Sequence, residues 1–226
     1  MTHMHIPDGI LPVWLWLAGF VAMAMALGFS FYRLRGMDTK KMIPLLGALS
    51  AAMLVVMSLP ILPGYHINLT VVTGILIGPS LGLIAAFITN VILAFMGHGG
   101  ITVIGLNTLL LGSEAVLGHL LFSLLKRLPV FWRAAAATMV TLFITTILLI
   151  GIVAVAHLDP DVLHHGEEHD HAVHSGGSVS TFAVVVLTIG AVGWIIEAAI
   201  TGAVVRFISQ VKPDLLGHGL HRSSKK

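Results

Sequence analysis

The chain contains no cysteine, and only 10% of its 226 residues carry a charged side chain. Without thiols, neither a disulfide nor a thiolate-bound metal can form, so any bound metal must be held by nitrogen, oxygen or methionine sulfur. The low charge excludes an ordinary soluble domain, in which about a quarter of the residues are charged. Because 57% of the residues are hydrophobic, the composition predicts an integral membrane protein in a lipid bilayer.

Motifs for catalysis are also missing. The chain has no GxxxxGK phosphate-binding loop, so any ATP hydrolysis must come from a partner, and it has no HExxH metalloprotease motif. We expect no enzymatic activity, no prosthetic group and no nucleic-acid partner. No basic residue precedes the first apolar run, which argues against a cleavable secretory signal.

Long apolar runs recur along the chain. About 20 apolar residues cross a bilayer as a helix, and such runs occupy residues 11–34, 41–59, 79–97, 102–126, 131–157 and 180–210. A shorter apolar segment from Asn68 to Ile77 ends at Gly78 and Pro79, a pair that favours a turn over a continuous helix. The sequence predicts an all-α, polytopic membrane helix bundle of about seven transmembrane segments. A single transmembrane domain would then occupy residues 1–210, followed by a basic tail at 211–226.

The basic residues indicate the orientation of this bundle. Lysine and arginine accumulate in short cytoplasmic loops. All 12 lie in three clusters, which are between the first two segments, between the fifth and sixth, and after the last. With seven segments these clusters share one side, so we expect the amino terminus outside and the carboxyl terminus inside the cell membrane. Ten of the 13 histidines then lie on the outer face.

Six of these histidines lie in an outer loop at residues 157–179, which begins HLDPDVLHHGEEHDHAVHSGG. The loop is low in complexity and has no hydrophobic periodicity. Its imidazoles and carboxylates favour weak collection of divalent metals, although histidines in a solvated loop can also be incidental. The spacing specifies no single coordination geometry.

The first ten residues, MTHMHIPDGI, form an amino-terminal stub (residues 1–10) with two further histidines. Three nitrogens at a chain start can bind a metal at three corners of a square, namely a free amine, the amide nitrogen of a histidine in second position and the imidazole of that histidine. A second imidazole can fill the fourth corner. Such a square of nitrogens suits Ni(II) or Cu(II). Met4-His5 gives this arrangement if the chain begins at Met4, and Thr2-His3 gives it if Met1 is removed. With Met1 present, His3 is in third position and completes a square alone.

Three stretches carry a family resemblance, namely MHIPDGILP at 4–12, GYHINLTVVTGILIGPSLG at 64–82 and FMGHGGITVIGLNTLLLG at 95–112. They resemble the nickel and cobalt substrate-binding membrane subunits of energy-coupling factor transporters, the NikM and CbiM family. The resemblance extends from Met4 to about residue 210. It implies a subunit that binds Ni(II) or Co(II) outside and delivers it inward. The implied partners are a transmembrane coupling (T) subunit and ATPase subunits, with a small accessory membrane subunit as a further candidate.

The resemblance also implies a metal site. Its ligands would be the Met4 amine, the amide nitrogen and imidazole of His5, and the imidazole of His66. In the family the stub folds back into the helix bundle to bring these nitrogens together. Pro7 and Gly9 agree with this expectation, because proline fixes φ and glycine permits a sharp turn, so the stub enters as a loop.

Three further residues are candidates for supporting these ligands. Asp8 could orient a ligand imidazole, and Asn107, in the matching family segment, could hold the stub by hydrogen bonding. His98 stands where many relatives have an aspartate, and it is a candidate outer partner, transient ligand on entry or simple loop residue. The sequence also differs from the family in carrying three residues before Met4. The implied site needs a free amine on Met4, so it requires a chain that begins at Met4.

Ionisable side chains inside a bilayer are costly unless they face protein or water. We expect Glu114, His119 and Glu197 to be satisfied between helices. Glu114 and His119 lie about 140° apart around a helix, so they are not expected to act as a pair. The small residues Ala48 and Ala52 allow close helix approach, and the resemblance makes them candidates for docking the coupling subunit.

Two other functions stay open. An intramembrane hydrolase would need a nucleophile and a base, and GSEAVLGH at 112–119 offers only Ser113 and His119. A stand-alone divalent-metal permease or sensor would work without an ATPase. The sequence does not choose between nickel and cobalt, although a square of four nitrogens favours nickel.

Overall fold

A computed structural model gives the fold of the chain. It describes residues 6, 9, 11–37, 39–40, 42–59, 66–157 and 179–217. Met4, His5 and Asp8 therefore lie outside the described residues, as do most of the outer loop at 157–179 and the end of the basic tail.

The described residues form helices and no strand, which confirms the predicted all-α membrane fold. Each predicted apolar run from residue 11 onward corresponds to helical structure, with ends that differ by a few residues. The helices are α1 (Val13–Leu34), α2 (Ile43–Ser58), α3 (Thr70–Phe95), α4 (Ile104–Leu124), α5 (Val130–His157), α6 (Val179–Val211) and the short α7 (Asp214–Gly217).

Five of the described helices are long and apolar enough to cross a membrane, namely α1, α3, α4, α5 and α6. The α2 helix is also apolar but has only 16 residues. The protein is therefore a multi-pass membrane protein. The count of seven segments and the outside position of the amino terminus stay predictions.

The α3 helix is divided at Gly78, which takes the left-handed φ of 81° with ψ of 170°. A β-carbon built on Gly82 would lie 3.2 Å from the α-carbon of Gly74. In a straight helix eight residues rise about 12 Å, so this short distance requires the chain to reverse between the two glycines. The reversal occurs at the turn that Gly78 and Pro79 predicted.

The first half of α3 is buried more completely than the second. The first half, from Thr70 to Ile77, is buried at every residue. Its eight residues rise about 12 Å, less than half of the roughly 30 Å hydrocarbon core, so the turn at Gly78 lies inside the bundle. The two halves of α3 therefore form a helical hairpin whose open end carries the loops around residues 66–69 and 97–103.

Neighbouring helices approach closely where both present small residues. The α4 helix packs against α1, α3 and α5, and α5 packs against α6. A β-carbon on Gly105 would lie 2.6 Å from the main chain of Gly19, and one on Gly74 would collide with the main chain of Ala115. Small residues allow this approach in membrane bundles, and they bring α4 to the centre of the contacts that position the candidate site.

The two ends of the bundle differ in chemistry. One end, which we call the stub end, is formed by Ile6, the starts of α1 and α4, and the last turns of α5. At the opposite end Arg133 lies over the ring of Phe122, 3.7 Å from its centroid. Arg206 lines a cavity of about 400 Å³ at that same end with Phe131. This separation agrees with the distribution of basic residues from which the orientation was predicted.

Candidate metal centre

Three chain segments meet at the stub end. The imidazole rings of His66, just before α3, and His98, just after it, have centroids 6.3 Å apart. The main-chain N–H of Gly100, in the loop that carries His98, donates to the carbonyl oxygen of Ile6 at 3.4 Å. Ile6 therefore shares one end of the helix bundle with two loops, which we call the His66 loop (residues 66–69) and the His98 loop (residues 97–103).

Ile6 and Gly9 are the stub residues that the structure describes. The side chain of Ile6 is only 3% exposed and packs in an apolar cluster with Val103, Leu106 and Val153. Gly9 follows with a left-handed φ of 82°, the backbone conformation that glycine adopts at no steric cost. Ile6 thus packs against the bundle, and the backbone at Gly9 departs from the helical conformation of α1.

Asn107 holds the main chain of Ile6 with two hydrogen bonds. The amide N–H of Ile6 donates to Oδ1 of Asn107 at 2.8 Å, and Nδ2 of Asn107 donates to the carbonyl oxygen of Ile6 at 3.1 Å. Both residues are buried, so neither polar group of Ile6 is left unsatisfied away from water. The hydrogen bonding between Asn107 and the stub that the sequence predicted is present, and its relation to a metal stays a prediction.

His66 is partly buried. Burial lowers the pKa of His66 below its usual value because the charged imidazolium loses solvation, and the nearby His98 lowers it further. A hydrogen bond to the main chain of Met57 acts in the opposite direction. The net effect favours the neutral imidazole, which is the form that binds a metal. His98 is exposed at the surface of the same end.

A buried polar cluster lies behind the His66 loop, and we call it the Asn68 cluster (Asn68, Glu114, Thr145 and Glu197). Nδ2 of Asn68 donates to Oε2 of Glu114 at 2.8 Å, and the amide N–H of Asn68 contacts Oε2 of Glu197 at 3.3 Å. The hydroxyl of Thr145 donates to Oε1 of Glu114 at 3.2 Å. The cluster therefore joins the His66 loop to α4, α5 and α6.

The sequence identified part of this cluster. It predicted that Glu114 and Glu197 would be satisfied between helices, which agrees with their contacts to Asn68. It gave no role to Asn68 or Thr145. The available signal was an asparagine two residues after a candidate ligand, and that signal alone does not reveal which distant side chains it meets.

The groups considered for a hydrolase each contact a different part of the bundle. Nδ1 of His119 is 3.0 Å from the carbonyl oxygen of Gly74, and the hydroxyl of Ser113 donates to the carbonyl oxygen of Leu110 at 2.6 Å. Glu114 faces the Asn68 cluster. Their separate partners disfavour a shared catalytic site and agree with the expectation that Glu114 and His119 do not act as a pair.

The remaining site residues are placed as follows. Within the part of the chain that the structure describes, no three His, Cys, Asp or Glu residues come together as metal ligands. Of the implied ligands, only His66 is described, so the ligand set stays a prediction. Ala48 is exposed and Ala52 is half-buried on α2, and their role in docking also stays a prediction.

A known protein family matches nearly the whole chain. The family model for CbiM, described as "Cobalt uptake substrate-specific transmembrane region", matches residues 5–215. The chain belongs to the CbiM family. The match begins at His5, includes His66, His98 and Asn107, and extends across α1 to α6 and into the start of α7.

Individual relatives match most of this CbiM family chain. A protein of Archaeoglobus fulgidus named as a fused nickel transport protein, NikMN, is 30% identical over 94% of this chain and 68% of its own length. The cobalt transport protein CbiM of Clostridium tetani is 31% identical over 65% of this chain and 66% of its own length. A crystal structure of a transition metal transporter superimposes with a TM-score of 0.76 at 22% identity, covering 92% of this chain and 93% of that one. That structure shows the same fold.

Proposed function

We propose that this CbiM family protein binds Ni(II) or Co(II) on the outer face of the cell membrane and delivers the ion inward. The observation that carries the proposal is the attachment of the stub to the bundle through Ile6 and Asn107. This attachment brings the residue after His5 to the same end of the bundle as His66 and His98. Relatives that carry metal transport in their names support the choice of substrate.

The proposed ligands are four nitrogens from three residues. Met4 supplies its free amine, His5 supplies its main-chain amide and its imidazole, and His66 supplies a second imidazole. The nitrogens of the consecutive residues Met4 and His5 close two chelate rings with the metal. His66, from a separate part of the chain, provides the nitrogen at the fourth corner of the square. Four nitrogens in a plane favour nickel, while cobalt is a second substrate of the same class.

The protein does not supply the energy for uptake in this proposal. It has no phosphate-binding loop of the GxxxxGK type, so ATP hydrolysis is assigned to separate ATPase subunits. A transmembrane coupling subunit links them to this chain, with Ala48 and Ala52 on α2 as the docking residues. A small accessory membrane subunit is a further candidate partner.

Reconstitution tests the proposal most simply. The protein beginning at Met4 is purified in detergent and titrated with Ni(II), then placed in vesicles with and without its coupling and ATPase subunits. We expect one tightly bound nickel per chain, and ATP-dependent uptake only when all subunits are present. Uptake by this chain alone, without ATP, would instead support a stand-alone permease.

A further inference from the structure

The Asn68 cluster lies beside a candidate ligand but has no part in the metal chemistry described above. Asn68 is only 4% exposed and comes two residues after His66. Its side-chain NH₂ donates to Glu114 and its main-chain N–H contacts Glu197. Its Oδ1 accepts a hydrogen bond from the main-chain N–H of Thr70 at 3.0 Å. Three polar groups of this one residue are thus held by fixed partners.

The partners of Asn68 come from distant parts of the chain. Glu114 is 46 positions away on α4, and Glu197 is 129 positions away on α6. Thr145 of α5 completes the contacts of Glu114. The contact with Thr70 ties Asn68 to the first residue of α3. The His66 loop is therefore tied to four helices at one point.

The same face of α4 also holds the stub. Asn107 and Glu114 are seven residues apart, which places them on one face of the helix about 10.5 Å apart along its axis. Asn107 fixes Ile6, the residue after His5. Glu114 fixes Asn68, close after His66. One helix face thus sets the separation between the two chain segments that carry the proposed ligands.

Stability alone does not account for two buried carboxyl groups at this point. Glu114 is 1% exposed and Glu197 is 0% exposed, and ionisable groups inside a membrane are costly. Replacing both partners of a buried hydrogen bond by apolar groups of the same shape can be nearly neutral or even stabilising. The cost of burying the carboxyl groups of Glu114 and Glu197 is consistent with a role in fixing the geometry of the site.

We infer that Glu114 and Glu197, acting through Asn68, are positioning residues that hold His66 at the distance from the stub that Ni(II) or Co(II) requires. This inference rests on the proposed function. Partners that orient a metal ligand commonly contribute 10-fold to 100-fold in metal affinity. Breaking the contact between Glu114 and Asn68 should therefore weaken metal binding although neither side chain contacts the metal.

The test compares variants of the full chain beginning at Met4. Glu114→Leu removes the carboxyl oxygen that accepts the hydrogen bond from the Asn68 side chain. Asn68→Ala removes the side chain that bridges the cluster. Glu114→Gln keeps an acceptor oxygen and serves as the conservative rescue. Thr138→Val is the matched control, because Thr138 is a buried residue of α5 whose hydroxyl donates to its own helix at Ala134.

Three quantities are measured for each variant, namely the nickel dissociation constant, the visible absorption spectrum of bound nickel and the unfolding temperature. We expect Glu114→Leu and Asn68→Ala to bind nickel about 10-fold to 100-fold more weakly and to shift the nickel absorption band. Glu114→Gln should restore the affinity to within about threefold, and Thr138→Val should leave the affinity and spectrum unchanged. If Glu114→Leu does not accumulate in the membrane, Asn68→Ala provides the same comparison.

The outcomes separate this inference from the proposed function. Unchanged affinity and an unchanged spectrum in the disruptive variants that accumulate, whatever their unfolding temperatures, would overturn the positioning role alone. Failure of the unsubstituted protein to bind nickel or cobalt would overturn the proposed function, and the positioning role with it.

Discussion

Ile6 and Asn107 exchange two hydrogen bonds in opposite directions, the first at 2.8 Å and the second at 3.1 Å. Asn107 thereby pairs with the main chain of the stub much as a neighbouring strand would. The contact joins positions 101 residues apart, and it fixes the stub at the start of α4. The proposed positions of the Met4 and His5 ligands depend on this attachment.

Replacement of Asn107 tests the attachment of the stub. We expect Asn107→Leu to weaken nickel binding about 10-fold to 100-fold, because the residue that positions the stub is lost. Competition with a chelator of known affinity measures the effect. Thr108→Val is the control, since it alters a neighbouring buried residue of the same helix. Equal loss of affinity in both variants would show that the effect is not specific to the stub.

His66 and His98 give opposite expectations although their rings are close together. His66→Ala removes one of four proposed ligands, so nickel affinity should fall more than about 100-fold. His98→Ala should change the affinity less than about tenfold, because His98 is exposed and is not assigned as a ligand. Nickel titration of both variants measures the difference. A larger loss in His98→Ala than in His66→Ala would reverse the assignment.

Nickel affinity should rise with pH. Binding displaces protons from the Met4 amine and the His5 amide, so protons compete with the metal as the pH falls. The lowered pKa of His66 keeps its imidazole neutral through the neutral range, so its protonation adds to the loss only in more acidic solution. Below the amine pKa of about 8 we expect affinity to fall about tenfold or more per pH unit. Identical affinity in acid and neutral solution would rule out an amide-containing site.

The close approach of α3 and α4 can be tested with a pair of glycines. Gly74→Ala forces a β-carbon into the main chain of Ala115, and overpacking of this kind costs about 1–3 kcal/mol. Gly28→Ala is the control, because a β-carbon on Gly28 meets nothing within 4 Å. Thermal unfolding in detergent should show a lower midpoint for Gly74→Ala and an unchanged or higher one for Gly28→Ala, since alanine favours helix. A lower midpoint for both would place the cause outside this contact.

Hydrophobic run length was sufficient to predict the helices, and local chemistry was sufficient to predict the turn at Gly78. These features depend on neighbouring residues in the chain. The contact of Asn107 with the stub was accessible through the family resemblance. The Asn68 cluster was not, because its hydrogen bonds join residues 46 and 129 positions apart. Only the packing of α4 and α6 against the His66 loop brings these side chains together.

The identity of the mature amino terminus tests the central claim most directly. The protein is purified from membranes, its intact mass and amino-terminal sequence are determined, and its nickel content is measured on the same sample. The account predicts a chain that begins at Met4 and holds one tightly bound nickel. A chain that begins at Met1 or Thr2 and still holds one tightly bound nickel would contradict the assignment of Met4 and His5 as ligands.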